Sequence, residues 1–560
     1  KEKYFTTKID LKMIILKTAF FYMLAVKINL IKIIKRIYFK TNFYRDTLVT
    51  KIPNQFFFFP NPFLMSSFTN YKKFTHKINN IDPIKLWNGK YSIKEKRDLH
   101  NFLWLSSIDR KDDASILRKI INLWNIDNLN YKSLIWETSV ISKRVMSWIL
   151  NADIILKNSN FEFKRNFIES IIIQTNHLKK NFKFEINNQK KIEILTTIIL
   201  SGLVFKEYEE NYEYGISELN KLTNSFFDEI GFPVTRNPDD LYIYAKHLLL
   251  IRESIKDAHK YVPDFLDQTL ERNLQCLKNI TTPNGSLPLF NGSVETNLSN
   301  FYDYLNHFKI KIKKIKYHSG NIHVLRNKKD IIFFEAGSPP KKNFSYCYQS
   351  GPLSFEYYTD NNKIITNSGF GINISNKARL LSRLTSSQST LCLNDTSIVQ
   401  FEKNNLMNKA YGYLIKKDFK TSNIQRKEDV NEIKIKAQHD AYLKNFGCTH
   451  YRSVGFDKLN NKLIGEDTVS KNDTKRDVKY DIRFHLYPGL AAVHTIGGNT
   501  ILIQINKNRS LLFSTKEKSL KIEKSIFFGG QKVLNNYCIV ISGSLENEQK
   551  TISWEIIKKI

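Results

Sequence analysis

The sequence predicts an all-α part followed by an antiparallel β-sandwich. Two observations carry this. From about residue 92 to residue 308 apolar residues recur at spacings of three and four, and after Gly320 they recur at every second position. Pro and Gly punctuate the first part at Gly231-Phe232-Pro233, Pro263 and Pro283-Asn284-Gly285, as expected of antiparallel helix pairs with short connections. No repeat of fixed period runs through it.

In chain order, residues 11–39 are rich in apolar side chains but interrupted by Lys12, Lys17, Lys27, Lys32, Lys35 and Arg36. A membrane span needs a run of about 18 uncharged apolar residues, and none is present. Residues 13–26 have the character of an export signal, yet no small-residue cleavage site follows. A basic amphipathic helix, packed on the protein or resting on a membrane surface, fits equally well. Helices are then predicted over 97–107, 115–125, 139–156, 163–182 and 191–205. Leu241, Tyr244, Leu248, Ile251 and Ile255 form one apolar helix stripe.

In the second part Leu353, Phe355 and Tyr357 alternate with polar residues, Asp360-Asn361-Asn362 supplies a turn, and 363–366 returns. Strands are predicted over 432–437, 500–506, 510–514, 532–542 and 551–556, with a polar corner at Gln438-His439-Asp440 and alternation resuming from Cys448.

Lys and Arg number 86 against 54 Asp and Glu, a formal net charge of +32. That excess favours a polyanionic partner, such as nucleic acid, anionic lipid or acidic polysaccharide. AT-rich coding, which inflates Lys more than Asp or Glu, accounts for it equally. The five cysteines are scattered with no CxxC pair, so neither a disulfide framework nor a cysteine zinc site is expected. No RNA- or DNA-binding module is present, and a nucleic-acid partner ranks lowest.

A set of ordered motifs adds a resemblance. In the helical part these are Leu86-Trp87-Asn88-Gly89, His100-Asn101-Phe102-Leu103-Trp104, Trp136 with Arg144 and Trp148, Arg236-Asn237-Pro238, and Asn284-Gly285-Ser286-Leu287-Pro288. In the sandwich they are Gly351-Pro352-Leu353-Ser354-Phe355-Glu356, Asn367-Ser368-Gly369, the block from Asp440 to Arg452 followed by Gly465-Glu466-Asp467, and Arg483-Phe484-His485-Leu486-Tyr487-Pro488. Together they resemble the heparinase II/III-like family of polysaccharide lyases and their relatives. The resemblance implies an N-terminal extension over residues 1–85, an incomplete (α/α) toroid over 86–315, and a heparinase II/III-type sandwich over 316–560. It also implies a place in the cell envelope or periplasm.

Such lyases act on acidic polysaccharide by β-elimination. The uronate carboxylate is neutralised, a base takes the α-proton, and an acid protonates the leaving oxygen. In the family the helical domain supplies an Asn and a Tyr, the sandwich supplies a His, and some members hold a metal on two His and one Asp. This chain departs from that pattern. Cys347 and Gln349 stand where His residues alternate, Asn367 stands for the Asp, Gln388 for a later His, and Asp240 where the Tyr falls. Amides are poor zinc ligands and cannot act as bases near neutral pH, so no metal or other cofactor is expected.

The remaining candidates for proton transfer are Tyr244, His439, Tyr442 and His450. For binding sugar or carboxylate they are Asn176, Arg236, Arg452, Arg483 and His485. Each has a plain structural alternative: Asn176 as a solvated helix residue, Tyr244 as packing, the sandwich residues as satisfied strand polar groups. Trp104, Trp124, Trp136 and Trp148 are expected to be core. The reading is a lyase-like protein acting on a uronate-containing, heparin- or heparan-like polysaccharide. The alternative is a member that binds such a polymer without cleaving it. If the first holds, both sets of candidates should face one cleft, and His439→Ala should abolish activity without loss of stability.

Overall fold

The computed structural model describes residues 2–69, 81–110, 114–313, 318–472 and 477–559; the side chains of residues 2–15, 17, 18 and 559 lie outside the description. The chain divides into two compact units. One comprises residues 1–226, 242–272 and 300–311, the other residues 227–241, 273–299 and 312–560.

The first unit is helical. Its helices are α1 (Glu2–Tyr38), α2 (Asn42–Asp46), α3 (Pro83–Asn88), α4 (Ile93–His100), α5 (Ala114–Asn128), α6 (Thr138–Leu150), α7 (Ala152–Ile155), α8 (Phe161–Asn181), α9 (Asn188–Val204) and α10 (Glu209–Phe226). Most of α11 (Pro238–Asp257), the first half of α12 (Asp264–Ile280) and α13 (Ser299–His307) also belong to it. The starts of several are written in the sequence. Ser92 and Glu95 form a reciprocal capping box at α4, while Asn160 and Asn187 accept from Phe163 N and Lys190 N to cap α8 and α9. The helix expected over 97–107 is broken instead: α4 stops at His100, Phe102 takes a left-handed backbone (φ 56°), and a 3-10 turn follows over Leu103–Ser107. This turn lets Phe102 bury itself against Trp124 and Trp148, whose own rings lie 5.3 Å apart edge-to-face. Arg144 is enclosed beside them. Its Nε donates to Gln174 Oε1 (2.6 Å) and its Nη1 to the His100 carbonyl (2.8 Å), and its guanidinium lies over Trp124. These motif residues therefore build core.

The second unit holds two antiparallel sheets. The first runs β1-β2-β3-β4-β5-β11-β16-β15 with β6 paired to β11 (β1 His318–Ser319, β2 Ile322–Asn327, β3 Asp330–Glu335, β4 Phe355–Thr359, β5 Asn362–Thr366, β6 Leu391–Leu393, β11 Lys479–Leu486, β15 Leu520–Phe527, β16 Leu534–Ser544). The second runs β12-β13-β14-β17-β10-β9-β8-β7 (β7 Thr421–Glu428, β8 Glu432–His439, β9 Cys448–Asp457, β10 Lys462–Lys471, β12 Ala491–His494, β13 Thr500–Asn506, β14 Arg509–Thr515, β17 Gln549–Lys559). Burial alternates strictly along β8 and β10, and the inward side chains of both sheets form one hydrophobic core. The predicted turn joins β4 to β5 with positive φ at Asp360 (47°) and Asn361 (66°), the backbone that favours Asn and Asp at a tight hairpin. The corner expected from Gln438 begins later, because β8 continues through His439.

Gly465 lies opposite Trp554 in the β10–β17 ladder, and a Cβ there would fall 2.1 Å from the indole ring. Gly465→Ala is therefore expected to destabilise the protein by about 1–3 kcal/mol. The check is the urea unfolding midpoint, and an unchanged midpoint would contradict the close approach.

Candidate functional site

The sandwich candidates converge, but inside the protein. β8 and β9 place His439 directly opposite His450, and β9 and β10 place Arg452 opposite Asp467. Because these positions share the inward face, all four side chains are buried. They form one chain of hydrogen bonds. With both imidazoles neutral, the Ala441 N–H donates to His439 Nδ1 (3.3 Å), His439 Nε2–H to His450 Nδ1 (3.1 Å), and His450 Nε2–H to Asp467 Oδ1 (2.7 Å). Arg452 Nε also donates to Asp467 Oδ1 (2.7 Å), and Trp554 Nε1 donates to Oδ2 (2.9 Å). Arg452 Nη1 reaches the carbonyls of Leu353 (2.9 Å) and Ser389 (2.8 Å). Burial pushes both histidines below their ordinary pKa. Burial pushes Asp467 upward, but Arg452 and His450 outweigh it and hold the carboxyl well below the usual range. Tyr442 is buried as well, its OH donating to the Leu391 carbonyl (3.2 Å). As placed, none of these groups offers a proton to solvent.

The other candidates are committed too. Tyr244 is fully buried, stacks on Phe226 at 4.5 Å, and donates its OH to the Asn188 carbonyl (2.8 Å). Asn176 is no solvated helix residue; its Nδ2 donates to the Leu48 carbonyl (2.9 Å) and to Thr50 Oγ1 (3.0 Å), tying down the segment after α2. Arg236, at φ 63°, pairs with Glu335 and the Ser338 carbonyl, and Asn291 Nδ2 donates to the other oxygen of Glu335 (3.0 Å). Arg483 pairs with Glu523 (2.7 Å) and Asp481 (3.0 Å). His485 is buried, bonded to Ser525 Oγ (2.9 Å) and the Ser386 carbonyl (3.0 Å). The stability-neutral His439→Ala variant is corrected accordingly, since removing this ring leaves His450 Nδ1 unpaired in the core.

Of the three amides that the resemblance puts at metal positions, Gln349 and Gln388 meet at one carbonyl, while Asn367 bonds separately and its Nδ2 is buried without a partner. Gln349 Oε1 accepts from Gly292 N (3.0 Å), while its Nε2 donates to the carbonyls of Gly369 (3.0 Å) and Ser382 (2.7 Å). Gln388 Nε2 donates to the same Ser382 carbonyl (2.9 Å), and Asn367 Oδ1 accepts from Ser389 N (2.9 Å). The Gln349 and Gln388 nitrogens, which donate to carbonyls, do not fit a cation. Among the described residues no three His, Cys, Asp or Glu side chains are grouped to hold a metal ion.

A groove of about 490 Å³ opens to solvent in this unit. Turns at Asn284, Asn297 and Asn361 line it together with Tyr358, Lys363, Glu295, Tyr487 and the Pro488-Gly489 bend. Tyr487 OH donates to Glu295 Oε1 (2.6 Å). Lys363 Nζ lies 3.3 Å from the enclosed Glu356 carboxylate, and 5.2 and 5.7 Å from the ring centroids of Tyr358 and Tyr487. Asn297 and Asn284 brace the rim through Nδ2 bonds to the Asn284 and Asn361 carbonyls. Behind Thr296, Asp239 accepts from Val294 N (2.8 Å) and Thr296 Oγ1 (3.1 Å), and burial lifts its pKa to about 6. Amides, phenols and a carboxylate on a wall of this size suit the hydroxyls of a sugar ring, while the Lys363 ammonium is already paired with Glu356. The sequence reading passed over these residues. It noted the turns and Tyr487-Pro488 only as fold landmarks, and nothing local shows that segments near 285, 361 and 487 meet.

The chain thus combines a helical unit with a two-sheet antiparallel unit that carries a polar groove. Residues 313–555 match the family model described as heparinase II/III-like, C-terminal. The fold is similar to that of the heparan sulfate lyase HepC from Pedobacter heparinus (TM-score 0.60, 16% identity, over 83% of this chain and 75% of that one). It is also similar to that of a heparinase III (TM-score 0.63, 14% identity, 90% and 85%). A comparison with curated protein sequences gives no match.

Proposed function

We propose that the protein engages an acidic, uronate-containing polysaccharide of the heparin or heparan class and cleaves it by β-elimination. The observation that carries this is the pairing of a heparinase-type fold with the groove around Lys363, Tyr487 and Asn297. In this reading Tyr487 and the amide rim hold the sugar's hydroxyls, and the Lys363–Glu356 pair stiffens the wall beneath them. Asp239, with its pKa near neutrality, stands one hydrogen bond behind the rim as a group able to exchange a proton. The implied setting is the cell envelope or periplasm. Among the described residues no helix is long and apolar enough to cross a membrane.

A second reading, binding without cleavage, is favoured by the enclosure of Tyr244, His439, Tyr442 and His450. One experiment separates the two. The protein is incubated with heparin, heparan sulfate, hyaluronan and alginate, with ultraviolet absorbance reporting unsaturated uronate and affinity retention reporting binding. New absorbance supports the lyase, retention alone supports the binder, and neither overturns both. Tyr487→Phe, which removes one rim hydroxyl, is expected to weaken retention by about five- to tenfold, the worth of one hydrogen bond. Unaltered retention would move the site away from this groove.

A further inference from the structure

Helix α1 is anchored along one face: Ala25 is fully buried, Lys35 Nζ donates to Asn181 Oδ1 (2.9 Å) and lies 3.3 Å from the Phe184 ring centroid, and Phe39, just past the helix end, meets the His177 ring at 5.0 Å. The other face is open. Leu16, Phe20, Met23, Leu30, Ile34 and Ile37 are each between 54% and 68% exposed. Their spacing puts them on one stripe, interrupted only at Lys27, and about 32 Å long at the rise of an α-helix. Phe43 extends it past the helix end, 70% exposed and 6.3 Å from the Tyr38 ring. A contiguous exposed apolar surface of this extent marks an interaction site.

The charge says what covers it. Between Leu11 and Arg45 the sequence has eight Lys and Arg and no Asp or Glu. A second copy would set like charge against like across the contact, whereas an anionic lipid headgroup layer neutralises these cations and receives the apolar stripe. We propose that α1 docks the helical unit on an anionic phospholipid surface, lying in the plane of the interface with this stripe at the acyl boundary. Lys27, inside the stripe, extends its ammonium back to the headgroups while its methylenes stay among the apolar side chains. The proposal is independent of the sugar groove and holds whichever reading of that groove is correct.

The test is co-sedimentation of the full chain with vesicles of equal parts phosphatidylglycerol and phosphatidylcholine, and with vesicles of phosphatidylcholine alone. Binding is expected only to the anionic vesicles and is expected to weaken as salt is added. Replacing Phe20, Leu30, Ile34 and Ile37 by Gln alters only the open face. This variant is expected to lower partitioning by on the order of a hundredfold, with the thermal unfolding midpoint unchanged. No binding of the unmodified protein, equal binding to both vesicle types, or salt-independent binding overturns the proposal without any variant. So does full binding by the folded quadruple variant. A dimer that the same substitutions dissociate, in the absence of vesicle binding, assigns the stripe to a second copy instead.

Discussion

Asp467→Asn is expected to destabilise the protein by about 3–5 kcal/mol, because it removes the carboxylate that pairs with the fully enclosed Arg452 guanidinium. The amide oxygen can still accept from His450 or Trp554, so hydrogen bonding is only partly lost and the uncompensated charge dominates. Urea unfolding gives the number, provided the slope of the transition is unchanged. Adding Arg452→Gln to Asp467→Asn leaves no net charge in the core and is expected to recover part of the loss. A cost below about 1 kcal/mol for Asp467→Asn would mean that solvent reaches the Arg452 site.

Acid is the second sensitive condition. Burial holds His485 down to about 4 and His177 down to about 3, and it lowers His439 and His450 too. In the unfolded chain a histidine titrates near 6.5. Between those values the unfolded chain therefore binds protons that the folded protein refuses, so stability present above about pH 6.5 falls as the pH drops. His177 in the helical unit and His485 in the two-sheet unit each remove up to about 1.4 kcal/mol per pH unit below that point from the unit that holds them. Urea midpoints at intervals from pH 7.5 to pH 5 check it, and a flat profile over that range would contradict the neutral, enclosed state of these rings.

Both effects arise from residues that, on sequence alone, are candidates for catalysis. His439, His450 and Arg452 stand out there because polar residues interrupt an apolar pattern. Structurally the interruption is an internal charge and hydrogen-bond chain centred on Asp467. Local sequence does not distinguish the two cases. A histidine on the inward face of a strand gives the same two-residue period whether the space opposite holds substrate or another strand's carboxylate. The replaced metal positions are legible in a simpler way, because Gln349, Asn367 and Gln388 have amide chemistry wherever the fold puts them.

The sequence by itself determined the class of each part. Helical spacing, caps such as Ser92 with Glu95, the hairpin turn at Asp360-Asn361 and the alternation along β8 and β10 are local features, encoded within a few residues. It also carried a resemblance that a family model matches over residues 313–555. Tertiary structure alone decided which polar residues meet solvent. Lys363, Tyr487 and Glu295 lie far apart in the chain and come together only when β5, the bend after β11 and the turn near Glu295 close on one groove. His439, Arg452 and Asp467 are drawn inward because their strands pair in one register, and a shift of a single residue would turn all three toward water.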